Sequence, residues 1–223
     1  MKRSIGKKRI RKSTMKSDKE LFEEHLNEIS SIILSAIDYY EYSNYLRNPD
    51  TEKERNFIHY NTHISFIQNT IEITLVLELS KLFSNSPNDE FSIFNLIEYL
   101  KRNGEFESLE YDNNLLNDWS DILVSKKEII EIVKTLRDKF YAHTDQFRFY
   151  NKNFLRMFDY PYKPYFEELF SLIDLAIVIV RKLSLDITKE EIHFFRRHFR
   201  RNDFQEIIIT LADSEKVNKK SIL

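Results

Sequence analysis

Two glycines in 223 residues, Gly6 and Gly104, set the first limit on what this chain can become. Tight β-hairpin turns and phosphate-cradling loops use glycine for positive φ and for close approach of the backbone. With only four prolines as further punctuation, the pattern predicts helices joined by short polar connections. Two isolated glycines cannot form a Gly-rich loop, so P-loop and dinucleotide-binding chemistry are excluded. There is also no cysteine. Disulfides, thiolate catalysis and cysteine-based zinc sites are therefore excluded, which fits a reducing cytoplasm.

Capping boxes divide the chain. Ser17-x-x-Glu20, Thr51-x-x-Glu54, Ser125-x-x-Glu128 and Thr188-x-x-Glu191 each pair a hydroxyl that can accept from an unsatisfied N–H with a glutamate that can reach back. They place helices at 18–47 and 52–84. In the second, Phe57, Ile64, Phe66, Ile67, Ile71, Leu75, Leu79 and Leu82 form the expected buried side. Shorter helices are expected at 91–102, closed by Asn103-Gly104, and at 114–123. Further helices follow at 125–143, 165–185, 188–200 and 203–215. The fold class is all-α: an antiparallel helical bundle, expected to be homodimeric because helices 125–143 and 165–185 carry more apolar surface than one small bundle covers.

The most apolar run, "LFSLIDLAIVIVRKL" (169–183), contains Asp174 and Arg181 and is too short to span a bilayer, and the N-terminal segment has no apolar signal core. No membrane association and a cytoplasmic location are expected. Residues 1–19 carry nine Lys/Arg against one Asp, net +8, while the rest has 25 basic and 35 acidic residues, net −10. That asymmetry predicts a basic, solvated N-terminal arm on an acidic body.

One stretch stands apart. "KTLRDKFYAHTDQ" (134–146) ends an amphipathic helix with Arg137, Asp138, Lys139, His143 and Asp145 close together. Histidine exchanges protons near neutrality, and arginine holds a phosphoryl group bidentately while staying charged. Together they suffice for metal-free RNA cleavage by a 2′-hydroxyl. Asp138 is placed to orient His143 or Arg137, and Lys139 to add a phosphate contact. On an unbroken helix at about 100° per residue, Arg137 and His143 lie roughly 120° apart. Either the helix distorts near Ala142, or a symmetric dimer completes the site.

"LRDKFYAHTD" resembles the signature of the HEPN superfamily: an arginine, a polar residue, and a histidine after a short gap, here five residues long. The upstream stretch 57–103 is similar in pattern to the abortive-infection, AbiU-like branch, and the resemblance covers about 25–185. It implies a HEPN-like helical-bundle homodimer with a metal-independent endoribonuclease site at the dimer cleft, acting as a toxin or in phage defence. The residues it carries over are Arg137, Asp138 and His143, with no cofactor and no metal. An antitoxin or a defence-system partner protein is implied as well. Toxins of this superfamily that are silenced by adenylylation have a tyrosine two places after the histidine; here Asp145 stands there. The expected organisation is a basic arm (1–19), the HEPN-like bundle (20–186), and a C-terminal helical extension with a basic patch and polar tail (187–223). A non-catalytic HEPN-like adaptor, binding a partner protein or nucleic acid, is the competing expectation.

Other residues bear on binding. In "IHFFRRHFRRNDF" (192–204), Ile192, Phe195 and Phe199 form an inward stripe, while Arg196, Arg197, Arg200 and Arg201 spread along one arc as an expected phosphate track. His59 and His63 have the i, i+4 spacing of a metal pair, but no glutamate follows His59, and a polar helix shoulder is the expectation. His25 has no evident partner and is expected to be exposed.

Overall fold

A computed structural model describes residues 16–138, 162–194 and 199–220. Among them are eight α-helices and no strand: α1 (Asp18–Arg47), α2 (Glu52–Tyr60), α3 (Thr62–Leu82), α4 (Ile93–Leu100), α5 (Asn113–Ser125), α6 (Lys127–Leu136), α7 (Tyr162–Leu183) and α8 (Arg201–Lys220). The N-terminal arm through residue 15 lies outside the described residues.

Two of the four capping boxes form. The Glu20 N–H donates to Ser17 Oγ at 3.3 Å and the Ser17 N–H to Glu20 Oε2 at 2.8 Å. Thr51 and Glu54 exchange the same pair of bonds at the start of α2, at 3.2 and 2.7 Å. The other two do not. Ser125 Oγ donates backward to the Ile122 carbonyl at 2.6 Å, and α6 begins at Lys127 without a side-chain cap. Thr188 Oγ1 likewise turns back to the Ser184 carbonyl at 2.8 Å, in a π-type turn that ends with Lys189 at φ 66°. The helix expected over 188–200 is therefore absent among its described residues: 190–194 run irregularly along α7, where Arg181 Nε donates to the Ile192 carbonyl.

The single helix expected over 52–84 is two. Asn61 leaves helical geometry (φ −93°, ψ 109°), its N–H closes α2 on the Phe57 carbonyl, and its side chain caps α3 through the N–H groups of His63 and Ile64. Ile64 and Leu75 go inward, whereas Phe66 is 71% exposed and Ile67 lies outward as well.

α1 is the axis. Near its C-terminal end Arg47 pairs with Glu72, and near its N-terminal end His25 approaches Glu90, just beyond α3, so α1 and α3 run antiparallel. α7 also runs against α1: Phe166 stacks on Tyr40 near the end of α1, at 4.7 Å between ring centroids. α6 packs on α3 and α7 through Ile129, Ile130, Val133 and Leu136, all buried. The main core lies among these helices and α4–α5. A smaller apolar cluster, with Tyr45, Phe57, Ile58, Phe199, Ile208 and Ala212, joins the end of α1 to α2 and α8. His25, expected at the surface, is buried in the main core among the rings of Phe91, Tyr99 and Phe106, and its Nδ1 lies 3.0 Å from the Leu21 carbonyl.

Gly104 follows Asn103, whose φ is 66°. A Cβ at Gly104 would fall well inside contact distance of the Tyr99 carbonyl, so the turn behind α4 requires glycine for close approach rather than for a left-handed φ.

Candidate active site

The last turn of α6 builds the described half of the site. Its inward face, Ile129 through Leu136, fixes the helix on α3, and the chain widens into a π-type turn at 137–138. Such turns are frequent at functional sites.

Arg137 Nε donates to Asp138 Oδ1 at 2.7 Å, with the arginine side chain 31% exposed. Among the described residues only Nε is engaged, and neither terminal nitrogen of the fork has a partner there. The Asp138 hydrogen bond raises the guanidinium pKa above its ordinary value. Partial burial opposes the rise, while the Asp138 and Asp89 charges add to it. Arg137 is a fixed cation at every working pH.

Asp89 belongs to a ledge formed by the connection between α3 and α4. Ser84 Oγ donates to Asp89, and Asn95 Nδ2 donates to the Ser86 and Asp89 carbonyls at 2.9 and 2.8 Å. Lys134, one turn before Arg137, reaches this ledge through Asn85 Oδ1 at 2.9 Å. The ledge thus sets a second cation and a carboxylate beside Arg137. Lys134 was legible as a charge near the motif; its tie to a residue 49 positions away was not.

Lys139 and His143 lie outside the described residues, as do Arg196 and Arg197 of the expected phosphate track. The track's other two members differ from each other. Arg200 is 82% exposed, with Asp203 3.9 Å away. Arg201 is clamped: its Nε donates to Asp50 Oδ2 at 3.2 Å, a terminal nitrogen bonds the other Asp50 oxygen, and the guanidinium lies 5.3 Å from the Tyr45 ring centroid. Arg201 therefore fastens α8 to the α1–α2 junction. Beneath it, Tyr45 donates to the buried Glu54 at 2.5 Å.

His59 and His63 fall on different helices, on either side of the Asn61 break. No group of three or more His, Asp or Glu among the described residues is placed to hold a metal ion. No helix among them is long and apolar enough to cross a membrane.

The family model described as AbiU2, of the HEPN group, matches residues 19–208. The match runs from the second residue of α1 through α7 and into the first part of α8, with the Arg137 turn inside it. No curated protein and no solved structure matches the chain.

Proposed function

From its membership of the AbiU2 family of HEPN proteins, we propose that this chain is a metal-independent endoribonuclease acting in the cytoplasm as a toxin or abortive-infection effector. The observation that carries the proposal is the state of Arg137. It is permanently charged, anchored through Nε to Asp138, and without a partner on either terminal nitrogen among the described residues, beside a ledge that also brings Lys134 near. A guanidinium so held supports the reading, because its terminal nitrogens are the pair that takes a phosphodiester bidentately.

In the mechanism, His143 removes the proton from a ribose 2′-hydroxyl, and the 2′-oxygen attacks the adjacent phosphorus. Arg137 takes the charge that builds on the non-bridging oxygens of the phosphorane. The bond to the 5′-oxygen breaks as that oxygen takes the proton from the His143 imidazolium, which returns to the neutral imidazole. The products are a 2′,3′-cyclic phosphate and a free 5′-hydroxyl. Asp138 is a positioning residue: its carboxylate fixes the roll of the guanidinium. Lys139, Arg196, Arg197 and Arg200 are proposed to meet the RNA backbone further out.

The active form is proposed to be a homodimer. Phe170 and Val178 on α7 and Val124 at the end of α5 remain 46%, 52% and 65% exposed. Lys126 Nζ meets Ser171 Oγ at 3.3 Å, which sets the α5–α6 junction beside the first half of α7. An antitoxin or defence partner remains part of the proposal.

A non-catalytic adaptor is favoured by one observation, that Arg137 already has a carboxylate partner next to it. One assay separates the two. Purified protein in EDTA, incubated with RNA, is expected to give 2′,3′-cyclic phosphate ends, and His143→Ala none. Intact RNA with the parent protein, in EDTA and in Mg²⁺ alike, rejects the nuclease.

A further inference from the structure

At the end of the bundle away from Arg137, the α1–α2 turn and the start of α3 enclose an open cleft of about 280 Å³. Its polar wall is Arg47, Arg55, His59, Ser65 and Gln68, over an apolar floor that includes Ile58. Arg137 lies beyond the far end of α3, which at about 1.5 Å per residue puts the two places roughly 30 Å apart.

The acids around the cleft are already committed. Glu72 holds Arg47 and accepts from Gln68 at 3.0 Å. Glu54 is buried under Tyr45 and Thr51, and Asp50 is held by Arg201. Arg55 is exposed and forms no ion pair among the described residues. One turn later stands His59, whose ring packs edge-on against Tyr60 at 4.9 Å between centroids. Tyr60 does not itself line the cleft but adjoins it through this contact, and it is 79% exposed, the highest value of any large hydrophobic residue described.

A guanidinium without an acid partner among the described residues, an imidazole and an uncovered aromatic ring beside them combine the two features by which proteins hold single strands: cations for the backbone and a ring for a base. The volume falls just short of the roughly 300–1,000 Å³ of sites that enclose a whole ligand. It suits a phosphate and its sugar, with the base left outside, where Tyr60 stands. We propose that this cleft is a second single-stranded RNA site, in which Arg55 and His59 hold one backbone phosphate and Tyr60 stacks on the adjoining base. The site rests on RNA being the substrate, but it uses no residue of the Arg137–His143 motif.

The test is anisotropy of a short fluorescein-labelled 2′-O-methyl oligoribonucleotide, which binds but cannot be cut, measured across a salt series. Arg55→Ala is expected to weaken binding about fivefold and to lower the slope of log K against log salt by about 0.7, one single-strand phosphate contact. Tyr60→Ala is expected to weaken binding about tenfold with the slope unchanged. Arg55→Lys should keep the slope. Unchanged affinity in Arg55→Glu or in Tyr60→Ala, with normal thermal unfolding, overturns the site, as does a parent protein that binds no oligonucleotide. Displacement of the probe by micromolar inorganic phosphate or a 5′-mononucleotide also overturns it, because the cleft then serves a small phosphate. Cleavage by the parent with binding indifferent to Arg55 removes this site and leaves the nuclease standing. Arg55-dependent binding without cleavage does the reverse.

Discussion

Arg137 and Arg201 each have an aspartate partner, and the sequence makes them look alike. Asp138 is the chain neighbour of Arg137 and takes one nitrogen; Asp50 is 151 positions from Arg201 and takes two, over a tyrosine face. Substitution should separate them. Arg137→Ala is expected to slow cleavage, weaken RNA binding and leave thermal unfolding unchanged. Arg201→Ala is expected to leave cleavage nearly intact and to cost about 1 kcal/mol of stability, the sum of a half-exposed ion pair and a cation–π contact. Gel assays and melts on both proteins check this. His143→Ala should lower kcat ~10²–10⁴-fold with little change in binding, because an imidazole general acid–base acts in the transition state. Glu54 makes a prediction in pH. Burial alone would raise its carboxyl, but hydrogen bonds from Thr51, Tyr45 and Gln205 outweigh burial and hold it below the ordinary value of 4.5. The stability it supplies is complete above that unfolded value and is lost as pH falls through the lower folded one. Acid should therefore loosen the α2–α8 end, and in Glu54→Gln that dependence should flatten, as hydrogen exchange across mildly acidic pH can read.

Among the elements, the α2–α3 joint depends on one side chain. Asn61→Ala removes the cap bonds to His63 and Ile64 and is expected to cost about 1 kcal/mol. Its effect should fall on the local geometry of the Arg55–His59 cleft, with Arg137 untouched. Helix starts at Ser17 and Thr51 were legible because a capping box is local: hydroxyl, glutamate and N–H lie within four residues. Ser125 and Thr188 carry the same letters, yet their hydroxyls bond backward to Ile122 and Ser184. Nothing local distinguishes the two outcomes. The break at Asn61 was hidden for a related reason. Apolar residues continue on both sides of it in one angular phase, from Phe57 through Ile64 to Leu75, so the pattern carries no mark of the break. In the candidate site, Arg137 and Asp138 were singled out from residue chemistry. The ledge at 84–90 was not, because it meets α6 only through tertiary contact, and neither was the burial of His25 among three rings.

For the whole molecule, the described apolar residues of α6 are spent inside the protomer, so the proposed dimer is assigned to what α5 and α7 leave outward. Val178→Glu is expected to shift the protein from dimer to monomer by light scattering at micromolar concentration and to abolish cleavage while the fold persists. A parent protein already monomeric at that concentration would remove the dimer-cleft site. The second apolar cluster has a different consequence, in time. Tyr45, Phe57 and Ile58 are covered by Phe199, Ile208 and Ala212, about 150 positions later in the chain. At ~5–20 residues per second, a nascent chain leaves that greasy surface uncovered for roughly 10–30 s. A chain cut off before α8 would keep it uncovered permanently, and a ribosome stalled late in the message would hold out a sticky end for chaperones and proteases to seize.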